Sequence, residues 1–231
     1  MTVIISEKGW ARVRQGHGLD LSGVVFKDGD RAGSALECRS VDSLVILSTE
    51  GRAFTVAIAG LPDGRGMGAP LSSFADLGGG RIAQVLSGRP EDELLVAKTS
   101  GYGFLCTYAD LLSRQKSGKA FVSVEAGASI LPPLRLAGHD HLAALSEDGR
   151  LLVFPLAEMK RLTSGKGVLI IGLREGEALR AVIATRGTRV TIRGVVRNRV
   201  KTLLAEERYL SQRARRGLPV GPMTQVTLAS G

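Results

Sequence analysis

Residues 94–111 read LLVAKTSGYGFLCTYADL: an apolar run, a polar turn closed by Gly101, and a second apolar run. Three other stretches superimpose on it without gaps, residues 2–19 (TVIISEKGWARVRQGHGL), 44–61 (LVILSTEGRAFTVAIAGL) and 142–159 (LAALSEDGRLLVFPLAEM). The aligned glycines Gly9, Gly51, Gly101 and Gly149 lie 42, 50 and 48 residues apart. Gly tolerates the positive φ of a tight hairpin turn, so each stretch is predicted to be a two-strand hairpin closed by Lys-Gly, Glu-Gly, Ser-Gly or Asp-Gly. Sequence self-similarity at such a period marks a repeat architecture.

A fifth copy emerges from the far end of the repeat. Eight residues after three of the marker glycines stands an alanine (Ala59, Ala109, Ala157), opening a short helix-like stretch in the last two, and Ala205-Glu206-Glu207 matches it. Counting back eight places Arg197 in the turn position, 48 residues after Gly149. The first copy departs from this, with His17 at the alanine position.

Each hairpin is followed by a box rich in Gly and basic residues: residues 16–18 (GHG), 64–68 (GRGMG), 113–119 (SRQKSGK), 163–167 (TSGKG) and 212–217 (QRARRG). Further β-type runs come next, such as 121–124 with 130–136 and 168–173 with 179–184. The expectation is an all-β, propeller-like fold of five four-stranded blades, with units at about 1–42, 43–92, 93–140, 141–189 and 190–231. No linker divides them, so residues 1–231 read as one domain. The last copy has room for one strand past its box, which leaves the ring open or closed by a strand borrowed from elsewhere.

Composition narrows the function. Lys and Arg number 31 against 22 Asp and Glu, a formal charge of +9, which points to a polyanionic partner. Residues 186–216 hold ten basic residues against Glu206 and Glu207, a local +8. Cys38 and Cys106 sit in apolar stretches and read as buried thiols of a reducing compartment. No signal peptide or spanning run is visible, so a cytoplasmic location without membrane contact is expected.

Catalytic candidates are thin. His139-Asp140-His141 lacks a third ligand nearby in sequence and reads as a polar turn. Residues 64–68 lack the glycine spacing and crossover helix of a dinucleotide site, and residues 164–167 lack the P-loop glycine, so no cofactor or metal is expected. Tyr102 and Tyr108, on predicted strands, and Tyr209, in a short helical stretch, read as packed rings. The boxes make better sense as DNA-backbone contacts: Gly lets a phosphate approach the backbone N–H, and Lys or Arg neutralises it.

The stretches at 9–18 (GWARVRQGHG) and 101–111 (GYGFLCTYADL) and residues 161–167 (RLTSGKG) resemble the C-terminal domain of the A subunit of bacterial topoisomerase IV, and the resemblance spans all five units. The related gyrase domain carries a Gln-Arg-Arg-Gly-Gly-Lys-Gly box; here the region reads GHGLDLSG, with 212–217 the nearest match. The resemblance implies a five-bladed β-pinwheel that binds and bends duplex DNA, with the cleaving tyrosine outside this chain. Implied partners are duplex DNA, the ATPase B subunit, the N-terminal cleavage region of the same polypeptide and a chromosome-organising protein. A propeller-like protein scaffold is the rival reading.

The expected DNA contacts are Lys8, Arg12, Arg14, Arg52, Arg65, Arg114, Lys116, Lys119, Lys160, Arg161, Lys166, Arg197, Arg199, Lys201, Arg213, Arg215 and Arg216. Arg213, Arg215 and Arg216 of the fifth unit are expected to anchor the duplex. Bending 20–30 base pairs by 40–90° costs on the order of 1–6 kcal/mol, so contacts must recur along the path.

Overall fold

The structure, a computed structural model, describes residues 1–26, 29–205 and 207–230. The first repeat supplies β1 (Thr2–Ser6), β2 (Trp10–Arg14) and β3 (Ala32–Glu37). The second supplies β4 (Ser43–Ser48), β5 (Arg52–Ala57), β6 (Ala69–Pro70) and β7 (Ile82–Ser87). The third has β8 (Glu93–Ala97), β9 (Tyr102–Thr107), β10 (Lys119–Ala120) and β11 (Leu134–Arg135). The fourth has β12 (His141–Ser146), β13 (Arg150–Pro155), β14 (Val168–Leu169) and β15 (Leu179–Thr185), and the fifth β16 (Val190–Val196), β17 (Arg199–Leu204), β18 (Leu218–Pro219) and β19 (Thr224–Ser230).

Every hairpin predicted from the repeats is present as an antiparallel pair, β1–β2, β4–β5, β8–β9, β12–β13 and β16–β17. The marker glycines carry the positive φ expected, between +71° and +84°. In the fifth hairpin Arg197 and Asn198 take φ of 48° and 62°, the two left-handed positions of a type I′ turn, so Arg197 occupies its counted position without being Gly. Short 3-10 turns follow four hairpins, at Ile58–Gly60, Tyr108–Leu111, Leu156–Glu158 and Glu207–Tyr209. Ala59 thus joins the turn as Ala109 and Ala157 do, and Tyr108 opens a turn rather than ending a strand. Glu206 lies outside the described residues.

The repeats are not self-contained sheets. In four cases the two-residue strand that follows a box pairs with the preceding hairpin, giving the orders β3-β1-β2-β6, β10-β5-β4-β7, β11-β8-β9-β14 and β15-β12-β13-β18. The fifth sheet has three described strands, β17-β16-β19. Residues 121–124 do not form the strand predicted for them: the N–H groups of Phe121 and Val122 both donate to the Gly51 carbonyl, at 3.0 and 2.8 Å, so the ladder ends at Ala120.

The chain resolves into two compact units, residues 1–92 with 108–122, and residues 93–107 with 123–231. In the first, Val3, Ile5, Leu44, Ile46, Phe54 and Leu71 form a buried core between two sheets. In the second, Leu95, Leu142, Leu152 and Phe154 head one core, and Val153, Val190, Ile192 and Tyr209 another. The hairpin strands of the first four repeats are buried along most of their length, as in β4 and β12, which explains their unbroken apolar runs, whereas β17 is exposed throughout.

Candidate nucleic-acid interface

Each of the four boxes from residue 64 onward is held by the hairpin of the repeat before it. Arg52, directly after the turn glycine, donates from Nη2 to the Ser117 and Gly118 carbonyls at 2.7 and 3.0 Å. Arg150, in the equivalent position, donates to the Gly217 carbonyl at 2.9 Å. Arg12 donates to the Gly66 carbonyl at 2.6 Å. In the third hairpin the position after the glycine is Tyr102, and the Lys166 ammonium of the box lies 4.2 Å from its ring centroid.

The last glycine of each box has a packing role. Gly68, Gly118, Gly167 and Gly217 all have positive φ, and a Cβ on them would stand 2.5, 2.6, 2.4 and 2.5 Å from the carbonyl oxygens of Ala11, Ala53, Gly103 and Leu151. Those four residues share one position, two after the turn. The next residue in each case starts the donated strand: Ala69 pairs with Ala11, Lys119 with Ala53, Val168 with Gly103 and Leu218 with Leu151. These four glycines are therefore required by backbone-to-backbone contact within the protein.

With box carbonyls and terminal glycines turned inward, most of the cations are left outside. Arg65, Arg114, Lys116, Lys160, Arg161, Lys166 and Arg215 are exposed, as are Lys8, Arg14, Arg197, Arg199 and Lys201 on the hairpins. Arg161 is ion-paired with Glu93, Arg65 lies 3.9 Å from Asp63, and Lys166 is 3.5 Å from Glu125. Lys119 is half-buried on β10.

Four expected contacts are placed differently. Arg12 is buried, and two of its guanidinium nitrogens donate to the carbonyls of Gly66 and Val25. Arg52 is half-buried in its clamp. Arg213 donates from its backbone and Nε to Glu158, and from Nη1 to the Leu169 carbonyl at 2.6 Å. Arg216 is half-buried between Asp148 and Glu177. Of the expected anchor triad only Arg215 projects outward; the exposed cluster of the fifth repeat is Arg197, Arg199 and Lys201, which with Val196 and Pro222 line a concavity of about 640 Å³. Arg213, Arg215 and Arg216 lie together in the irregular segment before β18, where no periodicity tells an inward arginine from an outward one. Accordingly, Arg213→Ala is expected to lower stability by about 2 kcal/mol, measured by urea unfolding, while Arg215→Ala leaves it within about 0.5 kcal/mol.

The other sequence candidates have local partners. Tyr108 is buried and donates to the Ser43 carbonyl at 2.7 Å. Tyr209 is buried with the Arg208 guanidinium over its ring at 4.8 Å. His139 accepts from the Ala137 N–H, and His141 lies 2.8 Å from Asp140. Cys38 and Cys106 are buried free thiols, and burial raises the pKa of Cys38. No helix of the described residues is long and apolar enough to cross a membrane.

No protein-family model matches the chain. The A subunit of DNA topoisomerase 4 from Salmonella typhimurium is 32% identical over 180 residues, which cover 77% of this chain and 24% of that protein. Its counterpart in Pseudomonas aeruginosa is 35% identical over 176 residues, covering 75% and 23%. The chain thus spans about a quarter of the length of the curated relatives it matches. Among solved structures, the E. coli ParC C-terminal domain superimposes with a TM-score of 0.90 at 30% identity, covering 100% of this chain and 98% of that one. The DNA gyrase A C-terminal domain superimposes with a TM-score of 0.65 at 18% identity, covering 94% and 75%, a likeness of fold.

Proposed function

Because the chain belongs to the family of C-terminal domains of the topoisomerase IV A subunit, with their β-pinwheel fold, we propose that it is a non-catalytic module that binds and bends duplex DNA. In the full enzyme it positions a DNA segment for strand passage in decatenation and supercoil relaxation. The observation that carries this reading is the repeated clamp: four successive boxes are fixed to the preceding hairpin by a close-packed glycine, three of them by an arginine as well, while Arg65, Arg114, Lys116, Lys166 and Arg215 of those boxes face solvent. A box whose backbone is already fixed loses little conformational entropy when a phosphate arrives. Phosphate contacts carry no base information, so binding follows charge, shape and salt rather than sequence.

A cytoplasmic, nucleoid-associated location goes with this reading, as does a single domain spanning residues 1–231. Its partners are then the ATPase B subunit, the N-terminal cleavage region carrying the reactive tyrosine, and a chromosome-organising protein. A second reading, a protein-interaction scaffold, is favoured by one feature: β17 has no described strand on its outer edge and exposes Val200, Leu203 and Leu204.

An electrophoretic shift series with duplex DNA at rising salt separates the two. The DNA reading expects log K to fall with log salt by about 0.9 per phosphate neutralised. Changing Arg197, Arg199 and Lys201 together to Ala is expected to flatten that slope by up to about 2.7 and weaken binding to all sequences alike. Absence of binding even at low salt removes the DNA reading and leaves the scaffold. An unchanged slope in the triple variant moves the principal contact to another box.

A further inference from the structure

We propose that Arg12, Arg14 and Arg65, over the glycines Gly64 and Gly66, form a discrete binding site for one phosphate group. All five residues line one pocket of about 310 Å³ in the first unit, with Met67 at its edge. It is built from the first hairpin and the box that hairpin clamps.

Three observations carry this. First, Arg12 is only 5% exposed, and two of its nitrogens donate to the Gly66 and Val25 carbonyls while its buried Nε has no partner. A buried donor without an acceptor is costly, so a small shift of this lining side chain toward an anion in the pocket carries a gain. Second, the positive charge is undercompensated: among the described residues the carboxylate paired with any of the three guanidiniums is Asp63, 3.9 Å from Arg65 and itself exposed. Burial, and then the neighbouring Arg14 charge, hold the Arg12 guanidinium below its ordinary pKa, as expected of like charges without a counter-ion. Third, the backbone is open at Gly66, where a Cβ would meet nothing within 4 Å, while at Gly64 the Arg14 stem packs directly across the chain, 2.5 Å from where a Cβ would stand, which seats that guanidinium beside the box. Arginine forks match the geometry of phosphate oxygens.

The occupant is a phosphodiester of bound duplex, an assignment that rests on the DNA-binding reading; free phosphate offers the same chemistry. The test titrates the whole chain, isotopically labelled for NMR, with inorganic phosphate, and in parallel with duplex DNA at several salt concentrations. The Arg14→Ala/Arg65→Ala double variant is compared, because both side chains are exposed and their loss spares the fold. The expected result is that phosphate shifts the Gly64 and Gly66 amides in the parent and not in the variant, and that the DNA salt slope falls by about 0.9. Shifts with an unchanged slope, or with no DNA binding at all, support the site for free phosphate and take the duplex away from it. Silent Gly64 and Gly66 amides, with a slope equal in parent and variant, overturn the site and leave the DNA reading standing. Silence in both titrations overturns both.

Discussion

Gly167→Ala is expected to cost about 3 kcal/mol or more, well above the cost of Gly127→Ala in the same unit. Both glycines have positive φ, +84° and +78°, so both substitutions incur the left-handed strain of roughly 1–2 kcal/mol. Their surroundings separate them. A Cβ at Gly127 meets nothing within 4 Å, whereas one at Gly167 stands 2.4 Å from the Gly103 oxygen and 2.6 Å from its carbonyl carbon. Both are backbone atoms of a buried strand, which no side-chain rotation moves aside. Relief requires opening the Val168–Gly103 pairing, which detaches β14 and with it the box that carries Lys166. Urea unfolding of the two variants measures the difference. Equal costs would mean that the close approach contributes nothing and that glycine serves there only for its φ.

That pair of glycines also shows what the sequence made visible. The hairpins were legible because a strand buried on both faces leaves an uninterrupted apolar run, and its turn leaves a Gly. Of the donated strands, β14 fell inside the run read at 168–173, but β6, β10 and β18 were not legible, since two residues make no periodic signal and their partners lie a whole repeat away. Phe121 and Val122 read as strand because their side chains are buried, while their N–H groups converge on one carbonyl. At the interface the boxes were legible as Gly plus cation. Which cations face outward was not: Arg12 and Arg213 look in sequence like Arg14 and Arg215, and only the carbonyls they meet distinguish them.

Lys98 is the least legible charge of all and sets the other large expectation. In the first, second and fourth hairpins the residue three before the marker glycine is Ser6, Ser48 or Ser146, whose hydroxyl accepts an N–H across the turn. The third has Lys98 there, fully buried, its ammonium donating to the Ser123 carbonyl at 2.5 Å and to the Glu125 oxygens at 3.0 and 2.9 Å. Removing the carboxylate strands a buried cation, so Glu125→Gln is expected to lose about 2–3 kcal/mol at neutral pH; the partial exposure of Glu125 keeps this at the low end for a broken buried pair. Lys98→Met, which keeps the volume and removes the charge, is expected to stay within about 1 kcal/mol of the parent, and adding Glu125→Gln to it to cost little more. The pH dependence gives an independent check. Burial works against the Glu125 carboxylate, but the hydrogen bonds and charge of Lys98, with help from Ser100, outweigh it and lower its pKa. A carboxylate with a depressed folded pKa contributes stability that is present above its unfolded value, about 4.3, and is lost as pH falls through the folded one. The gap between parent and Glu125→Gln should therefore hold steady from pH 7 to about 5 and close below about 4. A gap independent of pH, or a Lys98→Met variant as unstable as Glu125→Gln, would show that the ammonium is held by its carbonyl and its packing rather than by Glu125.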